Sequence, residues 1–165
     1  MSGVTDKWTT EGERIMRDLR ELAEMEVLVG FQRGKQHKKK GKTKKAQPDV
    51  LDIAMWNEFG AKKGKPGEIP ERPFMRQTFD NHVEEIGSMQ DAAYDRLMKG
   101  ASPGEALRSL GVKVKGLMQN EIAEGGFTEN APATVKRKKS DVPLIDTGHM
   151  RQSVQFIVRK KGQGE

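Results

Sequence analysis

Two consecutive amphipathic segments in the middle of the chain constrain its fold more than any other feature. The first begins at Pro73, which suits the first position of a helix, and ends near Gly100. Its apolar stripe consists of Met75, Phe79, Val83 or His82, Ile86, Met89 or Gln90, Ala93 and Leu97. The second starts with a Ser102–Glu105 capping box and runs to the Gly125–Gly126 pair. This pattern predicts one long helix, a tight link and a second, antiparallel helix.

Shorter patterns flank this helical pair on both sides. A helix is predicted from Thr9 or Thr10 to about Met25, and a short one from Leu51 to Phe59, stopped by Gly60. Alternating apolar residues predict one strand over residues 27–32 and a last strand over residues 154–159. We therefore expect an α+β fold, a small antiparallel sheet packed by a long helix and additional helices. We expect residues 1–165 to form one domain, with a flexible tail at 160–165.

The apolar content is low for a chain that folds alone. Leu, Ile, Val and Phe together make up 33 of the 165 residues, near the lower edge for globular domains. We expect a thin core that neighbouring chains complete.

The sequence has no cysteine, which excludes disulfides, thiolate metal sites and a cysteine nucleophile. No apolar run is long enough for a membrane helix or a signal core, so we expect a soluble, unsecreted protein with no membrane contact.

A basic run accounts for the whole net charge of +6. It consists of Arg33, Lys35, Lys38, Lys39, Lys40, Lys42, Lys44 and Lys45. Without these eight side chains the molecule has 22 basic and 24 acidic residues, unlike a domain with a basic binding face. We expect residues 33–48 to form an extended, mobile basic loop, which we call the lysine arm. It is either a solvated loop or a contact for phosphates or an acidic partner, because lysine runs bind polyanions without sequence preference.

The chemical motifs of the chain are weak. Residues 144–148 (Leu-Ile-Asp-Thr-Gly) resemble the active-site turn of aspartic proteases, but only 17 residues follow Gly148, too few for the strands that fold requires. The simpler interpretation is that Asp146 or Thr147 caps a short helical turn ending at Ser153, with Gly148 relieving backbone strain. The three histidines have no metal-ligand spacing. We expect no enzyme activity, catalytic residue, cofactor or metal; a protease using Asp146 is the remaining enzymatic alternative.

Three motif blocks occur in a characteristic order. Residues 53–60 (Ile-Ala-Met-Trp-Asn-Glu-Phe-Gly) precede residues 69–76 (Ile-Pro-Glu-Arg-Pro-Phe-Met-Arg), and residues 134–138 (Thr-Val-Lys-Arg-Lys) precede residues 143–154, which begin Pro-Leu-Ile-Asp-Thr-Gly. Together they resemble the tailed-bacteriophage virion-morphogenesis proteins, the neck or tail-completion family related to the siphophage minor tail component. The resemblance spans roughly residues 27–158.

This resemblance implies a structural virion protein of the head–tail connector, neck or tail end. Copies would form a homo-oligomeric ring, often of six, that joins tail to head and lets DNA pass. Its partners would be connector or adaptor, tail-terminator or tail-tube proteins. It would be found in the virion and, during assembly, in the host cytoplasm. The alternative function is that of a small nucleic-acid-associated protein that binds without sequence preference through the lysine arm.

The resemblance also implies structural roles for the motif residues. Phe59 and Phe74 would be packing anchors, and Pro70 and Pro73 would fix the entry of the loop into the helix. Gly60 and Gly148 would supply turn conformations closed to other residues. Arg72 would pair with Glu58 across the turn, or else face a neighbouring subunit. The remaining motif residues singled out are Asp146 and Thr147.

Overall fold

Helices form most of the chain that the structure describes. A computed structural model describes residues 9–34, 48–65, 67–138 and 141–163. Within these ranges lie seven α-helices and two β-strands. In chain order they are α1 (Thr10–Ala23), β1 (Met25–Gly30), α2 (Val50–Phe59), α3 (Phe74–Asn81), α4 (Val83–Met98), α5 (Pro103–Glu124), α6 (Pro132–Lys138), α7 (His149–Gln152) and β2 (Gln155–Lys160).

The two strands form a small antiparallel sheet, so the α+β class is confirmed. Their register runs from Met25 opposite Lys160 to Gly30 opposite Gln155. The first strand therefore begins two residues before the predicted range and ends before Phe31. At the other terminus, Lys160 lies inside β2, although it was assigned to the flexible tail.

Helix α5 is the central element, because it packs against both strands, α3 and α4. The Ser102–Glu105 capping box is present in full, and α5 ends at Gly125 as predicted. The sheet approaches α5 most closely at Gly111. A Cβ atom there would lie 2.4 Å from Cδ2 of Phe156 and 2.9 Å from Cγ2 of Val27. Only a glycine permits this contact without a shift of the sheet.

The prediction of one long helix from Pro73 is wrong, because the chain forms α3 and α4 with a break at His82. This residue leaves helical geometry, with φ −119° and ψ 23°. Its ring Nδ1 lies 3.0 Å from Glu85 Oε2, and its Nε2 lies 3.7 Å from Glu121 Oε2. These contacts stabilise a bend of the chain toward α5. The apolar periodicity of the sequence continues through His82, so it did not predict the break.

Two hydrophobic clusters divide the core along α5. The first contains the buried side chains Val50, Ala54, Phe74, Met118, Ile122, Leu144, Met150 and Val154. The second contains Ala93, Leu97, Ala106, Leu110 and Val114. Val29 packs against both clusters, so β1 connects them.

Helix α1 covers the second cluster and closes the end of α4. Arg14 donates hydrogen bonds to the carbonyl oxygens of Leu97 and Met98, the last residues of α4. A cation at this position satisfies carbonyls that lack helical partners and complements the helix dipole. Thr9 caps α1 as predicted, accepting from the Gly12 amide.

Candidate functional site

The motif blocks of the sequence meet around one cleft of about 540 Å³. Segments from the end of α2, the following loop, α6 and the turn before α7 form its walls. We call it the motif cleft, and its polar lining includes Asn57, Lys62, Glu68, Arg72, Asn130, Thr134, Lys138, Asp146, Thr147 and His149. Segments up to about 90 residues apart thus form one structural unit.

Arg72 connects the walls of the motif cleft. Its side chain is 4% exposed. Its Nε donates to the Thr128 carbonyl at 2.8 Å, and Nη2 donates to the Glu129 carbonyl and Asn130 Oδ1, each at 3.2 Å. Nη1 donates to Asn57 Oδ1 at 3.2 Å. The guanidinium therefore ties α2 to the segment that leads into α6.

The partners of this buried cation are neutral oxygens. Within the described residues Arg72 forms no ion pair, and burial lowers the pKa of its guanidinium below the ordinary value. The expected pairing of Arg72 with Glu58 is wrong, and the buried side chain does not present its charge to a neighbour either. Carbonyl and amide oxygens suffice because a guanidinium carries five donors in a fixed fork.

Glu58 instead caps the start of α3. It is 1% exposed, and its carboxylate accepts from the amides of Met75 (2.8 Å) and Arg76 (3.2 Å) and from Arg76 Nε (3.0 Å). Pro73 occupies the N-cap position, and its side chain cannot cap. A carboxylate from α2 thus satisfies orphan donors at the positive end of α3. Sequence analysis missed Arg76 in this role.

The two motif phenylalanines have opposite environments. Phe74 is fully buried and meets Phe31 edge to face, with 5.9 Å between ring centroids, which confirms it as a packing anchor. Phe59 is 59% exposed, so its assignment as an anchor is wrong. The Arg76 guanidinium lies 5.6 Å from the Phe59 ring centroid. Phe59 forms one exposed face of α2 together with Met55 and Trp56.

Glycine is required at two turns of the site, as predicted. Gly60 has φ 71° and ψ 165°, a region that side chains avoid, and a Cβ there would lie 3.1 Å from the Ile69 carbonyl oxygen. Gly148 has φ 71° and is itself the N-cap of α7. Neither Asp146 nor Thr147 caps this short helix, so that expectation is wrong. Pro70 and Pro73 flank Arg72 on the loop that enters α3, and both are half-buried.

The titratable side chains of the motif cleft have different environments. Asp146 is exposed, and its carboxylate has no hydrogen-bond or ion-pair partner among the described residues. Lys138 donates to the carbonyl oxygen of Pro143 at 2.9 Å. No group of three or more His, Cys, Asp or Glu among the described residues is arranged to hold a metal ion. The arrangement joins backbone segments and offers a polar recess.

The lysine arm leaves and re-enters the fold at nearly the same point. Asp49 caps α2 through the Leu51 amide (3.0 Å) and also accepts from the Gly34 amide (2.5 Å). These backbone hydrogen bonds lower the pKa of Asp49. Arg33 is exposed beside this junction. The predicted contacts Lys35, Lys38, Lys39, Lys40, Lys42, Lys44 and Lys45 lie outside the described residues.

Comparisons with known proteins assign no relationship to this chain. It matches no family model, no curated protein and no solved structure. None of the helices in the described ranges combines the length and apolar character needed to cross a bilayer.

The sequence contained signals for some of the site residues and elements that the sequence analysis did not predict. Glu58 follows Val50 and Ala54 at helical spacing, so it lies on the buried side of α2, where an ionised carboxylate requires donors. Helix α6 lacks an apolar stripe, and only Pro132 at its start suggested a helix. Asn57 belongs to the first motif block, but nothing in the sequence paired it with Arg72, and Asn130 had no distinguishing pattern.

Proposed function

We propose that this chain is a structural subunit of a bacteriophage neck or tail end, where identical copies join into a ring between head and tail. It acts by docking to copies of itself and to neighbouring virion proteins. The ring surrounds the path of the DNA, and the lysine arm contacts packaged DNA or an acidic partner surface. The motif residues maintain the shape of the subunit and carry out no reaction.

The convergence of the motif blocks is the observation that carries this proposal. If each block served a separate binding event, their residues would have no reason to contact one another. Instead, Glu58 on the first block caps the helix of the second, and Arg72 joins both to the segment before α6. Lys138 and Asn130 then bond to residues 141–143, next to the last block. Such mutual support is what a shape-determining framework needs.

Exposed apolar side chains provide further support. Met55, Trp56 and Phe59 present a row on α2, and Phe79 and Val83 are 46% and 68% exposed at the α3–α4 break. Several of the few apolar residues of this chain therefore lie on its surface. This distribution is typical of a protein that buries part of its core only on association.

The mass of the purified protein in solution tests the proposal. We expect native mass spectrometry and light scattering to give a closed oligomer of fixed copy number that persists at moderate salt. A variant lacking residues 35–47 is the matched control for the arm, and it should form the same oligomer. A monomer at every concentration and ionic strength would contradict the proposal.

The nucleic-acid alternative rests on a different observation, the junction at Asp49. Because the Gly34 amide donates to the Asp49 carboxylate, the two ends of the basic segment lie side by side. If the loop binds phosphates, affinity for duplex DNA falls steeply with salt, with a logarithmic slope of about −0.9 per phosphate contacted. Deletion of residues 35–47 would abolish that binding. Weak binding without a steep slope would favour the docking function.

A further inference from the structure

The small sheet ends in two open edges. Lys161 donates to the Glu24 carbonyl at 2.7 Å, one residue pair beyond the end of the two strands. Because bonded and non-bonded pairs alternate in an antiparallel ladder, the bonded pairs within the sheet are those of Glu26, Leu28 and Gly30. The intervening residues direct their backbone N–H and C=O groups away from the partner strand. They are Met25, Val27 and Val29 on β1, and Phe156, Val158 and Lys160 on β2.

Almost all of these outward groups lack a partner among the described residues. The backbone hydrogen bonds outside helices and strands involve one of the six residues, Lys160, whose carbonyl oxygen accepts from the Gln163 amide at 3.4 Å. Among the described helices, α5 packs most extensively against the sheet, on the face that carries Val27 and Phe156. No residue of either strand is fully buried. On the uncovered face Leu28, 39% exposed, stands opposite Ile157. A sheet of two strands with one bare face is marginal on its own.

The two edges carry opposite charges. Glu24 and Glu26 lie at the start of β1, whereas Arg159, Lys160 and Lys161 lie at the end of β2. Within the chain these ends are side by side, and Arg159 Nε donates to Glu26 Oε1 at 2.9 Å. An antiparallel strand added to the free edge of β1 with the sequence of β2 places the same basic residues beside the same acidic ones.

We propose that β1 of one copy pairs with β2 of the next, so that the sheets of neighbouring copies form one continuous sheet around the oligomer. This inference rests on the ring proposed above and names its interface. The occupant of each open edge is a second copy of this chain, because each strand finds on that copy an edge of equal length and opposite charge. The outward N–H and C=O groups then acquire partners.

Charge also selects head-to-tail pairing over a two-fold dimer. In an antiparallel two-fold pair of β1 with β1, the acidic start of each strand lies toward the uncharged end of the other, and in such a pair of β2 with β2 the basic end lies toward the uncharged start. Neither pair forms the contacts between opposite charges that stabilise a pair of β1 with β2. Head-to-tail contacts leave one free edge of each kind at the ends of any open assembly, so they continue until the ring closes.

Site-directed cross-linking tests this contact cleanly because the chain has no cysteine. Leu28→Cys and Ile157→Cys are made in separate proteins, each on the uncovered face, and circular dichroism verifies that both fold. A short bifunctional maleimide is added to each protein alone and to their mixture after exchange of subunits. We expect a cross-linked dimer in the mixture at least tenfold above that in either protein alone. Equal yields in all three samples would overturn the proposal.

A charge swap provides a second test that does not depend on thiols. The double variant Glu26→Arg/Arg159→Glu retains the ion pair within the chain and between its own copies. At a junction with the natural chain, however, like charges meet. Co-refolded mixtures should therefore contain fewer mixed oligomers in native mass spectra than random exchange predicts, and a random distribution would overturn the proposal.

The two proposals fail in different ways. A closed oligomer with neither the β1–β2 cross-link nor charge sorting would refute the sheet contact and leave the ring intact. A monomer under all conditions would refute both.

Discussion

At the residue scale, two buried charges in the site are stabilised by different means. Glu58 has a cationic partner, Arg76, and two backbone amides at a helix start. Arg72 has neutral oxygens alone among the described residues. A buried charge that loses a hydrogen-bond partner strongly destabilises the fold. Even conservative substitutions of Glu58 or Arg72 should therefore lower the free energy of unfolding.

Arg72→Lys tests whether the fork of donors, and not the charge, is what the site needs. Lysine retains the charge but cannot reach four acceptors on two segments, so several buried oxygens lose their donor. We expect the free energy of unfolding to fall by about 2–3 kcal/mol in urea titrations. Arg20→Lys on the exposed side of α1 is the control and should change it by less than about 0.5 kcal/mol. Equal effects would show that Arg72 acts as a charge alone.

Glu58→Gln tests the cap on α3. The amide keeps the shape of the side chain but directs an N–H₂ group toward backbone donors and loses the ionic bond to Arg76. We expect a loss of about 1–3 kcal/mol in unfolding free energy. Glu84→Gln, exposed on α4, is the matched change and should be close to neutral. A neutral Glu58→Gln would show that the charge of this carboxylate does not stabilise the junction.

The sequence alone predicted those residue roles that depend on backbone conformation. Gly60 and Gly148 were recognised because positive φ is a property of the residue itself. Phe59 and Arg72 were misassigned because their roles depend on which segment lies opposite, and residues 128–130 carried no signal for that. The pairing of Arg72 with Glu58 was a reasonable charge argument, but Arg76, one helical turn later, is the cation that reaches the carboxylate.

At the scale of elements, α5 organises the fold, and its glycines differ in function. Gly111 faces the sheet, whereas a Cβ on Gly116 would have no neighbour within 4 Å. Both lie inside the same helix, so intrinsic helix propensity favours alanine at each by a similar amount. Periodicity located α5 and its ends correctly. It could not distinguish these glycines, because their difference lies in the packing of Phe156.

The pair Gly111→Ala and Gly116→Ala separates helix propensity from packing. Gly116→Ala should raise the unfolding free energy by about 0.5–1 kcal/mol. Gly111→Ala should lower it by about 1–3 kcal/mol, because the sheet must shift from α5. Thermal unfolding of the two variants measures the difference. Stabilisation by both would contradict the close approach of the sheet.

The capping box of α5 predicts a pH dependence. Hydrogen bonds from the Ser102 backbone amide and hydroxyl lower the pKa of Glu105 below its ordinary 4.5. A depressed pKa in the folded state means that the stabilisation is present above about pH 4.5 and is lost as pH falls through the folded pKa. Glu105→Gln should therefore lower the Tm most at neutral pH and progressively less in acid. A Tm difference that stays constant over this range would contradict the argument.

At the scale of the whole molecule, the core is divided and thin. Two clusters lie along α5, and Val29 connects them. Several large apolar side chains remain on the surface at α2 and at the α3–α4 break. If copies associate as proposed, each gains stability from the others, because binding partners stabilise the folded state by mass action.

We therefore expect the Tm to rise with protein concentration. At a hundredfold excess over the dissociation constant, association adds about 2.7 kcal/mol to the stability of each copy. For a chain of this size that corresponds to a rise of roughly 5–11 °C. Scanning calorimetry over a wide concentration range measures it, and the charge-swapped variant alone should behave identically. A Tm independent of concentration would mean that the folded subunit is stable by itself.

The pairing of β1 with β2 joins residues 133 positions apart, as in the Glu26–Arg159 contact. Closing so long a loop is entropically costly, so the sheet should form late in folding, after the helices between its strands have packed. On the ribosome, β1 emerges long before β2 and waits without its partner while α5 is made. If the edges of the finished sheet are the contacts between copies, a nascent chain cannot join an oligomer. Synthesis of the last strand would then set the time at which assembly begins.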